Sequence, residues 1–194
     1  GGGVGYIKLG TFNARSAEKV RAAVKELQEG GAKSIILDLR NNSGGLFPAG
    51  LEIASMFIPQ GDIVLLADTV GAKDIIDVTG NAIAKSENLS VLVNKGTASA
   101  AEVLTGALQD NNRAIVVGDE NTFGKGLIQS TVPLSDGSAL NITVAKYQTP
   151  AGIDINKVGI TPDIDFPVAD TPTEPGAFCE LLASKEGLST KFFG

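Results

Sequence analysis

With 194 residues, 43% of them apolar and 20% charged, the chain suits one domain with a sizeable core. A net charge of −6 argues against a nucleic-acid partner, because such binding rests on Lys and Arg neutralising phosphates. No histidine and a single cysteine, Cys179, rule out an internal disulfide and the usual imidazole and thiolate metal centres.

The carboxylates show no calcium-loop spacing, so no metal is expected. No apolar run approaches the ~20 residues that span a bilayer. The chain opens Gly1-Gly2-Gly3-Val4-Gly5 without a signal or transit segment, so a mature form or a fragment is expected.

In chain order, Val4–Leu9 reads as a strand. Ser16–Gln28 is an amphipathic helix with Val20, Ala23, Val24 and Leu27 on one face, stopped by Gly30-Gly31. Ser34–Leu39 is a continuous apolar run of the kind buried in a parallel sheet. Arg40-Asn41-Asn42-Ser43-Gly44-Gly45 is a loop, and Pro48 starts a helix that Ala49–Phe57 continues. Asp62–Ala67 and Leu89–Val93 are further strands, the first of them a buried one. Gly96-Thr97-Ala98 turns into a helix from about Ser99 to Gln109, and Ala114–Val117 is the next strand. Leu127–Pro133 and Ala139–Tyr147 form a hairpin across Ser135-Asp136-Gly137-Ser138. Beyond Pro162 the chain is Pro-rich, with a weak helix near Phe178–Leu182. Strand–helix alternation predicts an α/β domain over residues 1–168, with a mainly parallel sheet plus a β hairpin, and a tail over 169–194 that leaves the core.

Two stretches carry chemistry: Gly96-Thr97-Ala98-Ser99-Ala100-Ala101-Glu102 and Thr122-Phe123-Gly124-Lys125-Gly126. Ser99-x-x-Glu102 is a helix capping box, and by pattern alone capping is the commoner role. The same position places a hydroxyl where helix N–H groups face a developing oxyanion. If Ser99 is a nucleophile, a chain without histidine leaves a neutral lysine as its base, and the pair points to a serine–lysine hydrolase. Burial would keep the Lys125 amine neutral, with Phe123, Leu127 and Ile128 expected to line its pocket. Against this stands a solvated lysine in a Gly-rich turn. Gln129, four residues on, would share a strand face with Lys125 and orient its amine, or else serve as a cross-strand polar pair.

Gly118 to Lys125 imitates a nucleotide-binding P-loop, but five residues separate the glycines, Gly126 replaces the Ser or Thr, and a strand follows instead of a helix. No nucleotide partner is expected. Asp38 and Arg40 read as an ion pair bracing the loop that follows them, and the N–H groups of Gly44 or Gly45 as an anion-friendly nest.

Taken together, residues 4–7, 38–45, 93–100, 122–126, 147–152 and 154–160 closely resemble the carboxy-terminal processing (tail-specific) proteases. The nearest look is the thylakoid-lumen type that trims the photosystem II reaction-centre precursor. The resemblance runs from about Val4 to about Pro167. It implies an α/β fold akin to the Clp-protease/crotonase superhelix. It also implies serine endoproteolysis near a substrate's free C-terminus, with no cofactor, metal or nucleotide. By the same resemblance Ser99 is the nucleophile, Lys125 the general base and Gln129 the residue orienting it, with the N–H groups of Gly45 and Ala100 forming the oxyanion hole. The partner implied is a protein or peptide with a free C-terminus. The compartment implied is the thylakoid lumen, with a bacterial periplasm or cyanobacterial lumen as alternative.

The sequence departs from the family pattern in three ways. The PDZ domain and an N-terminal helical portion are missing from this stretch, Ala101 stands where a second serine is common, and Ser99 and Lys125 are one residue further apart than the pattern. The rival expectations are a non-catalytic binding module on the same fold and a crotonase-type acyl-CoA enzyme.

Overall fold

The computed structural model describes residues 3–68, 70–71, 73–168, 171–174, 176–177 and 180. The helix expected near Phe178–Leu182 lies, apart from Glu180, outside these residues, as does Cys179. In chain order the elements are β1 (Gly3–Lys8), α1 (Ser16–Glu29), β2 (Ala32–Asp38), α2 (Phe47–Phe57), β3 (Asp62–Asp68), β4 (Lys73–Asp77), β5 (Asn88–Leu92), α3 (Ala100–Asp110), β6 (Ile115–Gly118), β7 (Leu127–Pro133), β8 (Ala139–Gln148) and β9 (Ile164–Asp165).

Two sheets result. The first is wholly parallel, ordered β1-β2-β5-β6-β9, and the second is antiparallel, ordered β4-β3-β8-β7. The mixed α/β class expected from sequence is therefore correct, with two refinements. The hairpin β7–β8 is half of a four-stranded sheet, and β3, an apolar run like those of the parallel sheet, pairs antiparallel with β4 and β8 instead. Two short strands, β4 and β9, were not legible as elements.

β2 is apolar throughout its centre because both of its faces are covered. Ile35 and Leu37 join the large core with α1, α2 and α3, whereas Ile36 points the other way into a smaller cluster with Leu92, Val117 and Val168. Each such side chain removed from water contributes about 1.5–3 kcal/mol. In α1 the buried stripe Val20 and Val24 recurs at helical spacing. α3 is different: Ala100 to Leu108 are all buried, since the helix packs against α2, β3 and β6. Pro48 occupies the first turn of α2, where a missing N–H costs nothing.

Val168 closes the smaller core, and the Pro-rich stretch that follows is tied down where it is described. The Arg40 guanidinium donates to the carbonyls of Val168 (2.6 Å), Thr171 (3.1 Å) and Pro172 (2.9 Å), and also to the Thr171 hydroxyl. The stretch expected to be a plain exit from the core is held at Thr171 and Pro172.

Candidate active site

The site grows from the junction between β5 and α3. Beyond β5 the Thr97 hydroxyl donates to the Leu39 carbonyl (2.9 Å) and the Ala98 N–H to the Asn42 carbonyl (2.9 Å), so this turn lies along the loop after β2. Ser99 then caps α3 with φ 57° and ψ −121°. A non-glycine residue in that region is strained, and such strain persists where the surroundings over-determine it.

Glu102 supplies that constraint. Its carboxylate is fully buried and accepts four hydrogen bonds. Oε1 takes the Thr122 hydroxyl and the Gly124 N–H, both at 2.6 Å. Oε2 takes the N–H groups of Ser99 and Lys125, both at 2.8 Å. One oxygen thus brings the Ser99 and Lys125 nitrogens within about 5.6 Å of each other, twice the 2.8 Å bond. The Glu102 N–H goes to the Ser99 carbonyl at 2.8 Å. The pair forms a capping box, in which the Glu102 carboxylate accepts from the Ser99 N–H.

The glycine loop faces the same point. Gly44 has φ 96°, and a Cβ there would lie 2.8 Å from both the Ala98 carbonyl oxygen and the Ser99 Cβ. Gly45 has φ 133°, and its Cβ would lie 2.1 Å from the Phe12 carbonyl oxygen. Only glycine fits at either position. The N–H groups of Gly45 and Ala100 donate to no acceptor among the described residues. Ala100 directly follows Ser99, and Gly45 directly follows the glycine that packs on the Ser99 Cβ.

The other two expected residues sit differently. The Lys125 side chain is exposed, and no hydrogen bond joins its amine to Ser99 or Gln129. The apolar pocket expected around it is not formed: Phe123 is 59% exposed, and Leu127 and Ile128 are half-buried. The reason is that the turn is held by its backbone, through Glu102 on one side and a Lys157 N–H to Gly124 carbonyl bond (2.8 Å) on the other. Lys125 precedes β7, so the strand-face argument for Lys125 and Gln129 does not start where it was placed. Gln129 instead reaches Thr143 across the hairpin at 3.5 Å. β7 also follows the turn as a strand, which removes the P-loop.

Behind the glycine loop, Asp38 and Arg40 form the expected brace. Arg40 Nε and Nη2 bond to the two Asp38 oxygens at 2.9 and 2.6 Å, and the Tyr6 hydroxyl donates to Asp38 as well. Burial pushes the Asp38 carboxyl up, but hydrogen bonds from Arg40 and Tyr6 with the Arg40 charge outweigh it and hold Asp38 below its ordinary value. Burial disfavours the Arg40 cation, yet its bonds to Asp38 raise it above its ordinary value. Burial first, and then donation to Asp38, raises the Tyr6 phenol far above its usual range.

A sharply turned serine at a helix start, two open backbone donors and a carboxylate-pinned lysine turn are thus brought together on a two-sheet α/β fold. The chain belongs to Peptidase family S41, whose description matches residues 3–166.

The chain is 50% identical over 181 residues to the chloroplastic C-terminal processing peptidase of Tetradesmus obliquus, covering 93% of this chain and 39% of that protein. It is 54% identical over 180 residues to the chloroplastic carboxyl-terminal-processing peptidase 2 of Arabidopsis thaliana, covering 92% and 35%. A solved structure titled photosystem II D1 C-terminal processing protease superposes with a TM-score of 0.89 at 50% identity, over 94% of this chain and 47% of that one. The chain thus spans between a third and two fifths of the length of these two chloroplastic peptidases. Neither the binding-module reading nor the acyl-CoA reading draws support from these matches.

Proposed function

We propose that residues 1–168 are the catalytic unit of a serine-type carboxyl-terminal processing peptidase. Ser99 is the nucleophile and Lys125 the general base. The N–H groups of Gly45 and Ala100 form the oxyanion hole, and Gln129 orients the lysine amine. The observation that carries this reading is the single Glu102 oxygen that tethers the Ser99 and Lys125 backbones within reach of each other. The lysine's flexible four-carbon stem then bridges the remaining distance by turning inward.

In the reaction, Ser99 Oγ attacks the scissile carbonyl carbon while the Lys125 amine takes the hydroxyl proton. Negative charge gathers on the carbonyl oxygen between the two open N–H groups. Collapse breaks the C–N bond, and the lysine returns its proton to the departing amine. A water then attacks the acyl-enzyme, giving its proton to Lys125, and the released Ser99 oxygen recovers that proton. The substrate is a protein with a free C-terminus. Likeness to a D1-processing protease and to chloroplast peptidases favours a photosystem II reaction-centre precursor in the thylakoid lumen.

The test is labelling of the chain by a fluorophosphonate, with cleavage of a peptide ending in a free carboxylate measured in parallel. Ser99→Ala and Lys125→Ala are expected to abolish both. Labelling that survives in Ser99→Ala refutes the nucleophile, and labelling unchanged in Lys125→Ala refutes the base.

A further inference from the structure

α3 begins at the proposed nucleophile, and a cavity of about 550 Å³ opens at its other end. Gln109, on the cavity wall, lies about 15 Å along the helix from Ser99, so the cavity is separate from the site already described. Its opposite wall comes from the chain between Ile153 and Asp163.

Two carboxylates, Asp110 and Asp163, line this cavity, and no lysine or arginine does. Asp163 is satisfied by the Gln109 amide and the Val116 N–H, both at 2.7 Å, and contributes its charge. One Asp110 oxygen takes the Ala151 N–H at 2.8 Å, and no hydrogen bond fills the other among the described residues. Ile153 and Val158, at the same cavity, are 53% and 50% exposed and add an apolar rim. Thr149 also lines it and is 3% exposed, yet its hydroxyl has no hydrogen-bond partner. The Thr149 methyl is committed to α3, where a Cβ on Gly106 would lie 3.0 Å from it. The hydroxyl is what remains to meet a ligand. A buried hydroxyl left unmet costs about 1–3 kcal/mol, which a donor arriving in the cavity recovers.

The far wall is shared with the catalytic side. Ile160, which lines the cavity, accepts the Thr122 N–H (3.1 Å) and gives its own N–H to the Thr122 hydroxyl (2.7 Å). The Asn121 amide donates to the Val158 carbonyl (3.1 Å), and the Lys157 N–H holds Gly124. An occupant of the cavity therefore rests on the segment that clamps the lysine turn.

We propose that this cavity is a second binding site, taking a lysine or arginine side chain of a polypeptide, and that its occupant steadies the Lys125 turn. The cationic head meets Asp110 and the Thr149 hydroxyl, and the aliphatic stem lies on Ile153 and Val158. Binding stands apart from the chemistry proposed for Ser99, whereas its consequence for catalysis rests on that reading.

The experiment titrates the isotope-labelled chain with two blocked peptides, acetyl-Leu-Arg-Leu-amide and acetyl-Leu-Glu-Leu-amide, and follows the amide signals by NMR. The arginine peptide is expected to bind, shifting Gly159 and Thr161, and the glutamate peptide is not. Thr149→Val removes a hydroxyl that has no partner, so the melting midpoint is expected to hold or rise while the arginine peptide binds about tenfold more weakly. Asp110→Asn keeps an acceptor for the Ala151 N–H and is expected to weaken binding similarly. If opening the clamp empties the cavity, peptide at ten times its dissociation constant slows amide exchange at Gly124 and Lys125 about tenfold. Equal binding of the two peptides, binding of neither, unchanged affinity in a folded Thr149→Val or Asp110→Asn chain, or unchanged exchange at Gly124 and Lys125 overturns the proposal. The peptide comparison uses the unaltered chain and holds however the variants fold. Fluorophosphonate labelling of Ser99 is read separately. Charge-selective binding with protection but no labelling sinks the hydrolase reading alone, and labelling without that binding sinks this inference alone.

Discussion

Glu102→Gln is the most demanding perturbation of this site. The carboxylate has four acceptor positions filled by four donors, at 2.6, 2.6, 2.8 and 2.8 Å. A glutamine of the same shape keeps one acceptor oxygen and replaces the other with an NH2 group. The cheaper orientation sets that NH2 toward the Thr122 hydroxyl, which can rotate to accept, but it also confronts the Gly124 N–H. The opposite orientation strands both the Ser99 and Lys125 N–H groups. Either way at least one buried N–H loses its partner, and the remaining bonds lose their charge assistance. With bonds to charged groups contributing about 1.5–3 kcal/mol each, the loss is about 3–5 kcal/mol. For a chain of this size that lowers the midpoint of thermal unfolding by roughly 10 °C or more. The assay is a circular dichroism melt paired with the rate of fluorophosphonate labelling. Labelling is expected to fall about 100-fold at temperatures where the variant is still folded, because the Ser99 and Lys125 backbones are no longer fixed to one atom. A melting shift under about 3 °C with an unchanged labelling rate refutes the reasoning.

Other expectations are simpler. Gly44→Ala presses a methyl against the Ser99 Cβ and the Ala98 carbonyl, and is expected to abolish labelling while keeping most secondary structure by circular dichroism. Arg40→Met leaves the buried Asp38 with only the half-exposed Lys8 ammonium at 3.2 Å and the Tyr6 hydroxyl, and is expected to cost about 3 kcal/mol in urea unfolding at pH 7. The parent's pH dependence has a definite sign: Asp38 is held below its ordinary value, so its contribution is full above about pH 4 and is lost as pH falls further, through the folded-state value. Urea titrations from pH 7 to 3 are expected to show that loss in the parent. In Arg40→Met the slope contributed by Asp38 is expected to shrink, because only Lys8 and Tyr6 remain to offset its burial; the same slope in both proteins counts against the Asp38–Arg40 pair as its source.

Much of this architecture was legible because it is local. Apolar runs such as Ile35–Leu37 and Val91–Val93 announce buried strands, and Ser99-x-x-Glu102 announces a helix start from four residues. What escaped is non-local or short. β9 has two residues, and β4 is an edge strand whose Ile75 is exposed, so neither carries an apolar pattern. The second task of Glu102, holding Thr122, Gly124 and Lys125 some twenty residues away, has no periodicity to betray it. The only available sign was an acidic residue at the start of an otherwise apolar helix, and capping explained that sign completely. Phe123, Leu127 and Ile128 do not wall in Lys125, because the turn is fixed through its main chain and leaves Phe123 facing outward. The hairpin was visible, but its membership in a four-stranded sheet depends on Leu66 meeting Tyr147 across 81 positions.

The turn around Lys125 is also closed from downstream. Thr122 donates its N–H to the Ile160 carbonyl (3.1 Å) and its hydroxyl oxygen accepts from the Ile160 N–H (2.7 Å), while Lys157 holds Gly124. A chain emerging from the ribosome presents Ser99, Glu102 and Lys125 long before these clamps. The serine, the glycine loop and the carboxylate can assemble early, but the turn that bears Lys125 stays unclamped until residues 157–160 have been made and docked. The geometry that brings the Ser99 and Lys125 backbones to one Glu102 oxygen is therefore complete only once residues 157–160 are in place.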